Sequence, residues 1–133
     1  MSQSKETEYI VDLQDTVKMP LKEVWNFLLS KHGLQIWLGT WKLDKWETGI
    51  TFITNDGIRG EVRVFNPYSH IRLLWQRENW SNITIIEIRT VSDDERTIIH
   101  IHQEQLADLS QKDGMESYWK KVLDDLNSAI NAI

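Results

Sequence analysis

The chain has 133 residues, of which 41% are hydrophobic and 26% charged, as is usual for one globular domain with its own core. Its formal net charge is -5 and no basic cluster stands out, so binding to nucleic acid or to an anionic membrane is not expected. Cysteine is absent, which excludes a disulfide framework, a thiol nucleophile and a cysteine-based zinc site. The polar start carries no apolar signal segment and no run is long enough to span a bilayer, so we expect a cytoplasmic protein.

The N-terminal part of the chain predicts one strand followed by two short helices. Imperfect alternation of apolar residues favours a strand over 9–17. A helix is predicted over 20–29, opened by a proline whose missing N–H is no loss at the first helical position. Gly33 is expected to break this helix, and a second helical turn over 34–38 is expected to end at Gly39.

Short strands follow, separated by turns. Asn55-Asp56-Gly57 is the clearest hairpin signal, because these residue types tolerate positive φ. In the strand after it, Gly60, Val62 and Val64 are predicted to share one face. The predicted strands are 41–46, 50–54, 58–65, 71–76, 82–91 and 96–104.

The C-terminal stretch over 110–133 predicts one long amphipathic helix. Ser110, with Asp113 three residues later, is the expected N-terminal cap. Such a helix must bury its apolar stripe, so we expect it to lie across the antiparallel sheet. The stripe consists of Met115, Trp119, Val122, Leu123, Leu126, Ile130 and Ile133.

One set of side chains has the residue types of a metal site. Alternate residues of a strand share a face, so His100, His102 and Glu104 are able to converge. The opposite face carries Ile99 and Ile101, which are the expected core residues. The histidines are therefore predicted on the solvated face of the sheet, and no metal site is predicted.

No motif supports catalysis. The sequence contains no Gly-x-Ser-x-Gly elbow and no glycine-rich phosphate-binding loop. Its carboxylates fall in predicted turns or on polar helix faces, where solvation explains them. A paired-carboxylate acid/base site stays open, although nothing points to one. We therefore predict no catalytic residues and no cofactor, and an enzyme is not the favoured interpretation.

Tryptophan is unusually frequent, with 7 residues. Its large ring and its N–H suit pocket walls and half-buried edges, although any single tryptophan is more often part of the core. A single helix across a curved sheet leaves a space that side chains need not fill. A fully packed interior and a hollow ligand site are both compatible with this pattern.

An ordered set of short motifs carries a family resemblance. Each motif is weak alone, but their order and spacing are fairly specific. The first two are Pro20-Leu21-Lys22-Glu23-Val24-Trp25 and Trp37-Leu38-Gly39. The others are Gly49-Ile50-Thr51-Phe52, Asp56-Gly57, Gly60-Glu61-Val62, Pro67, Leu73-Leu74-Trp75, and Trp119 with Leu123 and Leu126.

The motifs resemble the START-like or Bet v 1-like superfamily, also called SRPBCC, and within it the branch related to activators of heat-shock protein 90 ATPase. The resemblance implies an α+β helix-grip fold, as a single domain over 1–133. In this fold an antiparallel sheet of six to seven strands curves around a long C-terminal helix, and two short helices follow the first strand. It also implies a deep cavity, which in many relatives holds lipids, sterols, polyketides or other hydrophobic molecules.

The leading functional hypothesis is non-enzymatic binding of a hydrophobic small molecule, lipid-like or aromatic, between the sheet and the C-terminal helix. The alternative is a chaperone-associated or stress-related protein-interaction module, and an enzyme acting on a hydrophobic substrate is third. We expect a monomer or a weak homodimer. The predicted cavity walls are Trp37, Trp41, Phe52, Val62, Val64, Trp75, Ile86, Trp119 and Leu123.

Trp119 distinguishes a packed interior from a hollow one. In a packed interior, Trp119→Ala should cost about 3–5 kcal/mol. In a hollow interior the indole lines existing space, and the loss should stay below ~3 kcal/mol. From the sequence we expect the smaller loss of stability for Trp119→Ala.

Overall fold

A computed structural model describes residues 9–39, 43 and 45–133. Within these residues the chain forms three helices and a sheet of six strands. The strands are β1 (Tyr9–Val17), β2 (Thr51–Ile53), β3 (Arg59–Asn66), β4 (His70–Gln76), β5 (Thr84–Asp93) and β6 (Arg96–Leu106). The helices are α1 (Leu21–Leu28), α2 (Lys31–Trp37) and α3 (Leu109–Asn131).

The sheet is antiparallel throughout, with the strand order β1-β6-β5-β4-β3-β2. The strands from β2 to β6 are sequential neighbours. β1 instead pairs with β6, so the first and last strands lie side by side, with Leu13 opposite Ile101. The two short helices lie in the connection from β1 to β2. This topology confirms the predicted α+β helix-grip fold.

One face of the sheet and the apolar stripe of α3 together form the core. Burial alternates along β5 and β6, as expected for strands with one covered face. α3 packs on β1 and β6 and also contacts α2. Each fully buried large apolar side chain contributes about 1.5–3 kcal/mol. The residues that α3 buries are Met115, Trp119, Val122, Leu123, Leu126 and Ile130, as predicted, whereas Ile133 is exposed.

The second helix begins earlier than predicted. α2 starts at Lys31, and Ser30 is its cap, because the Ser30 hydroxyl accepts a hydrogen bond from the Gly33 N–H at 3.1 Å. Gly33 therefore lies in the first turn of α2 and is not the break between the helices. Gly39, with φ +85°, follows the end of α2, as predicted.

The cap of α3 also differs from the prediction. The helix begins at Leu109, and the Asp108 carboxylate accepts a hydrogen bond from the Gln111 N–H at 2.8 Å. Ser110 thus lies inside the helix. A carboxylate at this position also interacts favourably with the positive end of the helix dipole.

The hairpin between β2 and β3 is confirmed. Gly57 takes φ +81° in the turn, which a glycine adopts without strain. The separate strand predicted over 41–46 is not confirmed, because Lys45 and Trp46 belong to no strand. Positions 41, 42 and 44 lie outside the described residues.

β3 contains a bulge that changes which side chains face the core. The pairing with β4 shifts between Val62 and Val64. Before the shift, Val62 lies opposite buried Leu73; after it, Val64 lies opposite exposed Arg72. Residues directly opposite each other share a face, so Val64 lies on the outer face of the sheet. The prediction that Val64 shares a face with Val62 is wrong.

Candidate functional site

The interior between the sheet and α3 contains most of the predicted wall residues. Trp37, Phe52, Val62, Trp75, Ile86, Trp119 and Leu123 are each at most 7% exposed and belong to one hydrophobic cluster. Trp41 lies outside the described residues. In place of Val64, the bulge aligns Phe65 with buried Ile71. The ring of Phe65 stacks on Trp46 with centroids 5.5 Å apart.

A chain of buried hydrogen bonds crosses this interior. The indole N–H of Trp119 donates to Gln103 Oε1 at 2.8 Å, and Gln103 Nε2 donates to Thr84 Oγ1 at 3.0 Å. The Thr84 hydroxyl donates in turn to the carbonyl of Trp75 at 2.7 Å. Gln103 and Thr84 are fully buried. Such a chain fixes the position of the indole, because an unpaired polar atom here would be costly.

Gln103 is a core residue that was not predicted from the sequence. Its position follows Ile99 and Ile101 at the strand period of two, so the alternation alone places it on the core face. A glutamine at a core position needs a partner, and Trp119, the one tryptophan of the apolar stripe of α3, carries an N–H donor.

An open pocket lies where two hairpin turns meet α2 and α3. Its volume is about 340 Å³, within the range usual for small-molecule sites. The β2–β3 turn, the β4–β5 turn, the second residue after α2 and one residue of α3 line it. We call it the turn-end pocket, and it is lined by Gly39, Asp56, Ile58, Arg77, Glu78, Asn79, Trp80 and Tyr118.

Arg77 lies among three aromatic rings at this pocket. Its guanidinium carbon is 5.6 Å from the ring centre of Trp75, 5.7 Å from Tyr118 and 5.9 Å from Trp80. These distances allow a cation–π attraction to each ring. The Nε atom of Arg77 is buried and has no hydrogen-bond partner among the described residues. The three aromatic rings thus hold the guanidinium in place, while its Nε–H donates no hydrogen bond within this described part of the chain.

Tyr118 connects the turn-end pocket to the interior. Its hydroxyl donates to the carbonyl of Trp37 at 3.2 Å, and its ring meets Trp119 edge-on, with centroids 4.9 Å apart. Burial raises the pKa of the Tyr118 hydroxyl; Arg77 opposes this shift and Asp56 adds to it. The phenol therefore stays protonated at neutral pH and acts as a hydrogen-bond donor.

The predicted histidine face lies on the outer side of the sheet, as expected. Asp12 bridges the two histidines, at 2.5 Å from His100 Nε2 and 2.9 Å from His102 Nδ1, and Glu104 is 3.0 Å from His102 Nε2. Burial raises the pKa of Asp12, but the hydrogen bonds from His102 and His100 outweigh it and hold that pKa below its usual value. For His102, burial lowers the pKa, and the bonds to Asp12 and Glu104 outweigh that effect and raise it.

The histidines and carboxylates on this outer face therefore hydrogen-bond to one another. Within the part of the chain that the structure describes, no group of three or more His, Cys, Asp or Glu side chains is arranged to hold a metal ion. None of the described helices is both long and apolar enough to cross a membrane.

A family model matches residues 18–131, and its description is Activator of Hsp90 ATPase homolog 1-like protein. No curated protein matches the chain significantly. Among solved structures, DynU16, from the dynemicin biosynthetic locus, has 16% identity and a TM-score of 0.78, over 92% of this chain and 47% of its own. CalU16 from Micromonospora echinospora has 15% identity and a TM-score of 0.77, over 91% of this chain and 75% of its own. The Aha1 dimer from Colwellia psychrerythraea has 15% identity and a TM-score of 0.69, over 91% and 95%.

At these identities the solved structures show the fold alone, and this chain spans about half the length of DynU16 (47%). The family model decides the family, because it covers most of the chain, from Lys18 to Asn131. It agrees with the order of motifs from Pro20 to Leu126 and with the observed sheet and helix topology. The chain belongs to the Activator of Hsp90 ATPase homolog 1-like family, in the START-like superfamily that its motifs resemble.

Proposed function

We propose that this domain binds a small hydrophobic molecule, without transforming it, at the turn-end pocket and against the aromatic interior behind it. The observation that carries the proposal is the wall of this pocket. Trp80 and Tyr118 form its aromatic sides, and Ile58 adds an apolar surface. The same wall also carries polar groups, from Asp56, Arg77, Glu78 and Asn79. A concave site that combines aromatic faces with polar groups is able to hold and orient a small molecule.

The rings behind the pocket extend the same surface inwards. Trp80 meets the buried Trp75 edge-on, with centroids 5.7 Å apart, and Tyr118 meets the buried Trp119. A ligand in the pocket would therefore contact rings that are themselves fixed by the core. Pre-fixed walls favour binding, because less side-chain freedom is lost when the ligand enters.

Trp80→Ala should weaken the binding of a neutral aromatic probe. We expect wild-type protein to enhance the fluorescence of N-phenyl-1-naphthylamine, with saturation at one site. Losing one aromatic contact removes about 0.5–1.5 kcal/mol, which corresponds to an affinity loss of about 2- to 10-fold. A fluorescence titration of both proteins measures it.

Phe27→Ala is the matched control for this experiment. Phe27 is also a half-buried aromatic residue, but it packs edge-on against His32 and does not line the turn-end pocket. It should leave the probe affinity unchanged. The proposal fails if the wild-type protein binds no probe, or if the two variants weaken binding equally.

The family supports a second candidate function, docking of a partner protein such as the chaperone Hsp90. The observation in its favour is a row of residues on the outer face of the sheet. Ile53 lies opposite Arg59, which lies opposite Gln76, and Ile83 lies beside the same end of β4. Ile53 is 67% exposed and Ile83 is 49% exposed. The two exposed isoleucines lie at the ends of this row with Arg59 and Gln76 between them, and exposed apolar side chains beside polar ones occur at protein contact sites.

Placing two charges on this row should abolish such docking. We expect the double variant Ile53→Lys with Ile83→Lys to lose binding to purified Hsp90 in a co-sedimentation or calorimetric titration, because a lysine cannot be desolvated cheaply at an apolar contact. Ile10→Lys is the control, since Ile10 is another exposed isoleucine at the opposite edge of the sheet. The docking hypothesis is wrong if the wild-type protein does not bind, or if the double variant binds equally well.

A further inference from the structure

Arg77 has unused hydrogen-bonding capacity within the described residues. A guanidinium carries five N–H donors and no acceptor. The Nε donor of Arg77 is buried without a partner, although most buried polar atoms in folded proteins are paired. The ring faces of Trp75, Trp80 and Tyr118 attract the charge but do not replace an oxygen acceptor in the plane of the guanidinium.

The carboxylates at the rim of the pocket do not supply that acceptor. Asp56 and Glu78 line the same pocket, but the ion pairs of arginine and lysine within the described residues involve other side chains. Glu78 lies instead against the neighbouring turn, where its Oε1 would be 2.8 Å from a Cβ added at Gly57. Within the part of the chain that the structure describes, Arg77 therefore keeps a positive charge without an ion-pair partner at the inner wall.

The arrangement favours one sign of ligand charge. The place that a ligand cation would take among the three rings is already taken by the guanidinium of Arg77. A carboxylate would meet a planar fork of donors that the rings hold in position, which is the geometry Arg recognises best. Asp56 and Glu78 at the rim would repel any further negative group.

We propose that the turn-end pocket takes an amphipathic anion, with an apolar or aromatic body against Trp80 and Tyr118 and one anionic head, such as a carboxylate, on the guanidinium of Arg77. This inference rests on the proposed small-molecule function and names the class of its ligand. Arg77 then acts as the specificity-determining residue, because it separates an anion from a neutral molecule of the same shape.

Two fluorescent probes test this directly. 8-Anilino-1-naphthalenesulfonate and N-phenyl-1-naphthylamine share one aromatic skeleton and differ by a sulfonate group. We expect the wild-type protein to prefer the anionic probe, and Arg77→Gln to reduce the ratio of the two affinities by about tenfold or more, since a hydrogen-bonded charge is lost. The ratio is the readout, because any change in the shape of the wall affects both probes alike.

Arg96→Gln is the matched control, since Arg96 is an exposed arginine paired with Asp93 in the β5–β6 hairpin and does not line the pocket. It should leave the ratio unchanged. Arg77→Lys keeps the charge and should lose part of the preference, which keeps the test valid if Arg77→Gln does not fold. Thermal melting of each variant identifies a loosened protein.

The outcomes separate the two proposals. If both probes bind and Arg77→Gln or Arg77→Lys leaves their ratio at the wild-type value, the assignment of Arg77 is wrong, while small-molecule binding stands. If the wild-type protein binds neither probe, the proposed function fails and the assignment of Arg77 fails with it. A preference for the neutral probe would also overturn the assignment.

Discussion

Gly33→Ala should destabilise this domain by about 3 kcal/mol or more, a large effect for the addition of one methyl group. A Cβ at this position would lie 2.0 Å from the carbonyl oxygen of Phe27 and 3.1 Å from the Cα of Leu28. Both atoms belong to the backbone, so no side-chain rotation relieves the contact. The two helices would have to separate.

The carbonyl of Phe27 cannot move freely either. It accepts a hydrogen bond from the Ser30 N–H at 3.0 Å and another from the Ser30 hydroxyl at 2.6 Å. The same hydroxyl accepts from Gly33 N and so caps α2. Moving the carbonyl away from an added methyl would therefore disturb the end of α1 and the start of α2 together.

Gly114→Ala is the matched control for this experiment. Gly114 is also a helical glycine, within α3, but nothing lies within 4 Å of a Cβ added there. Alanine should therefore stabilise α3 by about 0.5–1 kcal/mol, because it costs less backbone entropy in a helix. Urea unfolding of both variants measures the two changes. A loss below ~1 kcal/mol for Gly33→Ala would mean that α1 and α2 adjust easily and that the close approach is not required.

The sequence predicted the architecture because burial leaves a period in the chain. The apolar stripe from Met115 to Ile130 and the alternation along β5 and β6 arise because each of these elements buries one face. Local geometry was harder to predict. Gly33 was interpreted as a helix break, although its role is close packing between α1 and α2, which depends on a backbone atom of Phe27.

The candidate site was predicted less well, for two physical reasons. A bulge inverts the alternation, and the pairing that places Val64 opposite Arg72 cannot be counted from a strand in isolation. The turn-end pocket joins residues from Gly39 to Tyr118 that only the fold brings together. No local pattern in the sequence indicates that three rings surround Arg77.

The second large loss of stability is expected for removal of Trp119, in the interior of the domain. Seen from the sequence, this indole was expected to line a hollow. In the structure it is 0% exposed, and its N–H donates to the buried Gln103. Both observations favour the packed alternative at this position. We therefore expect removal of the ring to reduce the free energy of unfolding by more than the sequence alone indicated.

Trp119→Ala should therefore destabilise the domain by about 3–5 kcal/mol, the range for deleting a large aromatic core side chain. The loss has two parts: the contacts of the indole, and the hydrogen bond whose absence leaves Gln103 Oε1 buried and unpaired. Trp119→Phe keeps most of the ring and isolates the second part, at about 1–3 kcal/mol. Urea denaturation of the wild type and both variants, with unchanged m-values, gives the three free energies of unfolding. A loss clearly below ~3 kcal/mol for Trp119→Ala would show that the ring borders free space, as the sequence analysis had expected.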